Sequence, residues 1–146
     1  NIIGGPGMNS KLNILLREKN AFAYNIDSNY TAYTEAGIFT VYFGTDSKNI
    51  EKSIKLIKKE FEKFQDKPLT NFQLNRAKRQ LIGQIAIASE NSEHLMLTMA
   101  KSCLIYNKVF TLDEIKNLIN SITSDQICRI AHEVLNNDKM SCLIYN

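Results

Sequence analysis

Histidine is nearly absent from this chain, whose 146 residues hold only His94 and His132. A catalytic zinc takes three protein ligands from His, Glu, Asp or Cys and keeps one position open for water. Two histidines far apart in sequence do not begin such a set, so no metal ligand and no bound cofactor are assigned to the chain. His94 and His132, the latter beside Glu133, read as solvated or cap-proximal side chains. With so few histidines, no serine, histidine and aspartate grouping is proposed. Cysteine is scarce too: Cys103, Cys128 and Cys142 are odd in number and lack paired spacing, which reads as small buried apolar side chains rather than a disulfide frame or a metal site. No apolar run approaches the ~20 residues of a membrane span. The charge excess is small, 18 Lys and Arg against 15 Asp and Glu for a net +3. That is too little to argue for nucleic acid or an anionic membrane surface. Lys52, Lys55, Lys58, Lys59 and Lys63 are interrupted by Glu51, Glu60 and Glu62, the pattern of a solvated helix face.

What is present is a strong periodic pattern. The length is one domain's worth, enough to remove roughly two thirds of the unfolded surface. Asn1 is not a methionine and the chain opens straight into Ile2-Ile3-Gly4-Gly5, which reads as a segment of a longer polypeptide. The lack of a signal peptide then carries no information. Three of six glycines fall within Gly4 to Gly7. The Gly-Lys-Ser/Thr ending of a phosphate loop is missing there, so a tight turn or close backbone approach is expected. Next comes a helix over about Met8 to Lys19, with Arg17 and Lys19 in its last turn, where the helix dipole favours cations. From Ala21 the period changes to two, and Phe22, Tyr24 and Ile26 alternate with Ala23, Asn25 and Asp27. A turn at Thr34-Glu35-Ala36-Gly37 leads into a second strand, Ile38 to Thr45, completing an antiparallel hairpin.

Beyond the hairpin, Ile50, Ile54, Ile57, Phe61 and Phe64 recur at helical spacing and should face the sheet. Capping boxes at Thr70 to Gln73, Thr111 to Glu114 and Thr123 to Gln126 head three further helices. These should bury Leu74, Ala77, Leu81 and Ile85, then Ile115, Leu118 and Ile119, then Ile127, Ile130 and Val134. The sequence Ser-Cys-Leu-Ile-Tyr-Asn occurs twice, at 102–107 and 141–146. The first copy continues the spacing Leu95, Met99, Cys103 and should be helical. The second comes after Asn136-Asn137-Asp138 and should be a strand, because tertiary context overrides propensity. The fold class is therefore α+β, an antiparallel sheet with helices packed on one face as a two-layer sandwich.

The order of these pieces resembles the pitrilysin/insulinase family of zinc metallopeptidases, which includes the mitochondrial processing peptidase. The resemblance rests on Gly4 to Ser10, Leu16 to Lys19, Ala23-Tyr24, Tyr42 to Thr45, the helix from Asn49, Arg76-Ala77-Lys78 and the closing helices through Leu135. It matches the second, non-catalytic module and implies that residues 1–146 are most of such a module, lacking its first strands and hence truncated at its N-terminus. The family's active modules carry His-x-x-Glu-His. Here Glu90-Asn91-Ser92-Glu93-His94 lacks the first histidine and lies on a late helix, so Zn2+ is expected in the catalytic module of the parent chain.

The resemblance also implies roles for two residues. From residue types alone, Arg17 caps its own helix and Tyr24 shares an apolar strand face with Phe22 and Ile26. The family pattern instead makes Arg17 and Tyr24 substrate-binding groups that support the oxyanion, with Asn9 and Ser10 as cavity wall. The implied function is the substrate-binding half of a zinc-dependent endopeptidase acting on peptides or unfolded polypeptides in an enclosed cavity. The alternative is a catalytically inactive structural or peptide-recognition partner subunit. Implied partners are the parent's zinc-binding N-terminal module and a peptide substrate; neither nucleic acid nor membrane is among them. An incomplete sheet also exposes an edge that invites pairing with a second copy. Light scattering at high concentration checks this: a concentration-dependent dimer is expected, and a strictly monomeric species counts against it.

Overall fold

The computed structural model describes residues 1–145, and Asn146 lies outside them. The chain divides into two units, residues 1–68 with the segment from Asp125 onward, and Leu69–Ser124.

In the first unit the glycine-rich segment forms the expected turn and close approach. The Gly4 carbonyl accepts the Ser28 amide at 2.9 Å, and the Ile2 and Ile3 carbonyls accept the amides of Lys11 and Leu12 at 3.0 and 2.8 Å. Those two bonds satisfy the first free amides of a helix. The helix therefore begins at Lys11 rather than at Met8. From Asn13 to Lys19 it widens to π-helical turns, with Leu12 and Leu16 wholly buried. Strands β1 (Ala23–Ala32) and β2 (Gly37–Thr45) form an antiparallel hairpin, closed by a turn in which the Tyr33 amide bonds the Ala36 carbonyl at 2.8 Å. A 3₁₀ turn, Ser47–Asn49, leads into α1 (Ile50–Asp66).

The face of α1 that the spacing predicts is the buried one. Ser53, Ile57, Phe61 and Phe64 are all inside, and the Phe61 ring meets Phe39 of β2 edge-on with centroids 6.1 Å apart. Helix on hairpin gives the α+β layering. α5 (Ser124–Val134) and the residues just after it, through Asn137, lie against the C-terminal end of α1. Gln65 Nε2 donates to the Leu135 carbonyl at 3.0 Å, Cys128 Sγ donates to the Gln65 carbonyl at 2.9 Å, and Asn137 Nδ2 donates to Glu62 at 3.0 Å. Ala131 and Leu135 are buried there. Cys128 is half-buried there, whereas Cys103 and Cys142 are exposed, so the burial expected of the cysteines is not met.

The second unit is helical: α2 (Asn71–Ser89) contacts both α3 (Ser92–Tyr106) and α4 (Leu112–Ser121), and its buried residues include Leu74 of α2 and Ile119 of α4. Both halves of the Thr70–Gln73 and Thr111–Glu114 capping boxes are formed. Lys108 Nζ adds an ion pair to Glu114 at 2.6 Å while lying 4.8 Å above the Phe110 ring. Among the described residues no helix is long and apolar enough to cross a membrane.

Three expectations need correction. Leu118, Ile130 and Val134 are exposed, not inside. Helical spacing gives a side-chain direction, but burial also depends on what lies opposite, which the spacing does not encode. The two copies of the repeated hexapeptide do differ, the first ending α3 with Asn107 in the left-handed region. The second, however, is not a strand over Ser141–Tyr145. A strand exists through its ladder, and the described sheet has only β1 and β2. The third correction is the facing of Tyr24, which is 70 % exposed instead of sharing an apolar strand face.

Phe61→Ala should cost about 3–5 kcal/mol of stability, read as a lower denaturant midpoint, because a buried aromatic leaves a cavity against Phe39. A second expectation concerns acid. Lys108, and after it the Thr111 amide, holds the Glu114 carboxyl below its ordinary 4.5. A depressed carboxyl stabilises the fold above the unfolded value and loses that contribution as pH falls through the folded one. Unfolding followed by α4 amide exchange should therefore show weakening below pH 4.5, and Glu114→Gln should flatten that dependence.

Candidate functional site

Arg17 and Tyr24 are brought together by how one helix stops. The Ala21 amide bonds the Arg17 carbonyl at 3.1 Å, the single bond of an αL closure, and the Phe22 amide reaches one residue further back to the Leu16 carbonyl at 2.8 Å. Its hinge residue is Ala21, at φ 50°. A left-handed alanine costs roughly 1–2 kcal/mol against a right-handed one, so the surrounding packing holds this turn against local preference. Asn20 Nδ2 adds a bond to the Leu15 carbonyl at 2.7 Å. The chain reverses within these residues, and the helix end carrying Arg17 meets the strand start carrying Tyr24.

The facing of Tyr24 comes from an irregularity in the ladder. Ala23 pairs with Thr45, and the next pairing is Asn25 with Gly44, so Tyr24 is the additional residue of a β-bulge. A bulge places two residues against one and resets the alternation. Ala23 and Ile26 are consequently both buried, although their spacing is odd, while Tyr24 is left outside. The apolar face shared with Phe22 and Ile26, which strict parity implies, is therefore not where Tyr24 lies. The bulge is stitched by the Gly44 amide, which donates to Asn25 Oδ1 at 3.0 Å. A Cβ at Gly44 would stand 2.7 Å from that oxygen, so a larger residue there requires the Asn25 side chain to move.

Both residues line a cleft of ≈ 240 Å³, together with Gly7, Met8, Asn13, Asn25 and Ile26. Arg17 is half-exposed, with Nε 4.0 Å from Glu18 Oε1, too loose to commit the guanidinium. Tyr24 donates its hydroxyl proton to Asp46 Oδ1 at 2.6 Å. That hydrogen bond, and with it the Asp46 charge, raises the phenol above its ordinary value of 10.0 and keeps it in the protonated, donating form. Asn13 is buried and fixed by Nδ2 bonds to Ser10 Oγ at 2.8 Å and to the Gly7 carbonyl at 3.4 Å.

Of the four candidate residues, Arg17 and Tyr24 share the cleft, whereas Asn9 and Ser10 are not among its lining. Ser10 is buried and serves Asn13 instead; Asn9 is exposed. Asp46, Asn13 and Asn25 carry no motif, and reasoning from sequence passes over them. A signal for Asp46 does exist: it directly succeeds Thr45, the ladder partner of Ala23, which puts it beside Tyr24 once the hairpin register is known. Among the described residues no three His, Cys, Asp or Glu side chains group so as to hold a metal ion, and the cleft contains no carboxylate, thiol or imidazole. Among the described residues there is thus no side-chain set that fits a zinc site.

The profile of the peptidase M16 inactive domain matches residues 1–81. An uncharacterized zinc protease of Rickettsia felis is 30% identical over 143 residues, covering 98% of this chain and 34% of its own length. The mitochondrial-processing peptidase subunit beta of Saccharomyces cerevisiae is 25% identical over 141 residues, covering 94% and 30%. Among solved structures, a peptidase M16 inactive domain from Pseudomonas fluorescens superposes with a TM-score of 0.76 at 27% identity, covering 94% of this chain and 33% of that one. The chain spans about a third of the length of the curated relatives it matches.

Gly44→Ala should displace Asn25 and lose the bond that stitches the bulge, about 1 kcal/mol. The expected readout is a lower unfolding midpoint and faster amide exchange at position 44. An unchanged midpoint and protection would mean that the bulge does not need this bond.

Proposed function

The chain belongs to the peptidase M16 inactive domain family of zinc proteases, and on that premise we propose that it is the substrate-holding, non-catalytic part of a zinc-dependent endopeptidase. The observation carrying the reading is that Arg17 and Tyr24, a cation and a neutral phenol, line one open cleft. A guanidinium offers five donors in a fixed fork. In the cleft it holds the carbonyls of an extended peptide. Asn25, whose Oδ1 is taken by Gly44, adds amide donors beside it. The Tyr24 hydroxyl supplies a hydrogen bond where charge develops on the attacked carbonyl oxygen. Preorganised donors of this kind stabilise the transition state more than the ground state. Zinc itself belongs to another module of the parent chain, and the present residues bind and orient the peptide.

A second reading, a partner subunit without its own catalysis, draws on relatives named as the alpha and beta subunits of one processing peptidase. The two readings part at the residues of the cleft. A purely structural subunit has no requirement for Arg17 or Tyr24, whereas a substrate-holding module does.

The test uses the full-length parent on a quenched peptide library, with and without a chelator. Chelation should abolish cleavage. Tyr24→Phe and Arg17→Ala should each lower kcat/KM by roughly 10²–10³-fold, the cost of losing one oxyanion donor, with the fold intact by circular dichroism. A parent that cleaves nothing supports the partner-subunit reading. The isolated 146-residue chain should be inactive, and chelator-sensitive cleavage by it would overturn the assignment.

A further inference from the structure

Asp46 stands where β2 gives way to the 3₁₀ turn Ser47–Asn49, a position at which aspartate commonly caps the helix ahead of it. Its side chain makes no such cap. Oδ1 instead accepts the Tyr24 hydroxyl at 2.6 Å. The other charged groups near the pair are Lys48, with Nζ 4.0 Å from Asp46 Oδ2, Arg17 in the same cleft, and Glu18 at 4.0 Å from Arg17.

Elementary chemistry gives this bond two effects. Tyr24 is largely exposed, so its ring has little packing to hold it, and a charge-assisted bond from its tip supplies the missing restraint. The phenol also has a single proton, which can turn from Asp46 to an oxyanion as negative charge appears. That turn gives up the Asp46 bond, so what Asp46 contributes is where the donor sits rather than donor strength, a difference that acts on kcat more than on binding.

We propose that Asp46 is a positioning residue for Tyr24, fixing the phenol at the cleft where the reacting carbonyl oxygen gains charge. The O–H bond stays intact throughout; only the acceptor of its hydrogen bond changes. The inference rests on the reading of Tyr24 as an oxyanion donor.

The test combines two measurements on the full-length parent. In the first, ring-carbon NMR of labelled tyrosine, with Tyr24 identified by its loss in Tyr24→Phe, tracks the ionisation of the phenol. Asp46→Asn removes the charge and should move the Tyr24 titration to lower pH; an unmoved titration overturns the pairing. In the second, Asp46→Ala should lower kcat about tenfold with KM nearly unchanged, a loss typical of a misplaced group. Asp46→Asn, whose amide oxygen still accepts the phenol proton, should recover much of that loss. Asp46→Ala combined with Tyr24→Phe should be no slower than Tyr24→Phe alone, because the residue acts through the phenol. Losses that multiply in the double variant, or a kcat that rises in Asp46→Ala, overturn the inference while leaving Tyr24 as a donor. If Tyr24→Phe by itself leaves kcat intact, the reading of Tyr24 fails, and the NMR shift then marks the pair as structural.

Discussion

Everything at the cleft depends on two backbone hydrogen bonds, Phe22 to Leu16 and Ala21 to Arg17. They end the first helix in a way that sends the chain back beside itself instead of onward. Leu16 anchors the turn from beneath, wholly buried and one helical turn from the equally buried Leu12. The linkage runs from core to chemistry: apolar side chains fix the helix, its closure fixes the reversal, and the reversal sets a guanidinium and a phenol on one cleft. The polar residues could not organise themselves this way, since both are exposed and neither has packing of its own to hold it.

Much of this was legible in the sequence, and the reasons are local. Capping boxes at Thr70 and Thr111 are reciprocal hydrogen bonds between residues three apart, so residue types alone specify them. The stripe Ile57, Phe61, Phe64 needs only the helical period, and the hairpin needs only alternation and a turn. The features that escaped have non-local causes. The burial of Ser53 and the exposure of Leu118 depend on which surface lies opposite, which periodicity does not encode. The bulge at Tyr24 is a property of two strands in register, and parity along one strand points the other way. The widened turns of Asn13–Lys19 have no residue signature either, since the segment carries ordinary helix formers.

The second unit presents a different balance. α3 is apolar in composition, yet none of its residues is buried, and Met96, Leu104, Ile105 and Tyr106 are among its most open side chains. Its helix is nevertheless well ended, by Asn91 accepting the His94 amide at one terminus and Asn107 in the left-handed region at the other. Local capping thus sets the limits of a helix that buries none of its own residues. The contrast with α1, whose buried stripe meets the hairpin, separates the two contributions that most helices combine.

The residues around the cleft share a further property. Ala21 sits in a conformation that suits glycine, the first helix widens away from its regular geometry, β1 carries an unpaired extra residue, and Asp46 leaves the turn after it without a side-chain cap. Each is a local sacrifice, and strain of this kind gathers where geometry is selected for use rather than for robustness. Under selection for heat tolerance alone, these four sites are where improving substitutions would be found soonest. If the cleft holds a peptide as proposed, a lineage released from that need would regularise its cleft before its core began to change.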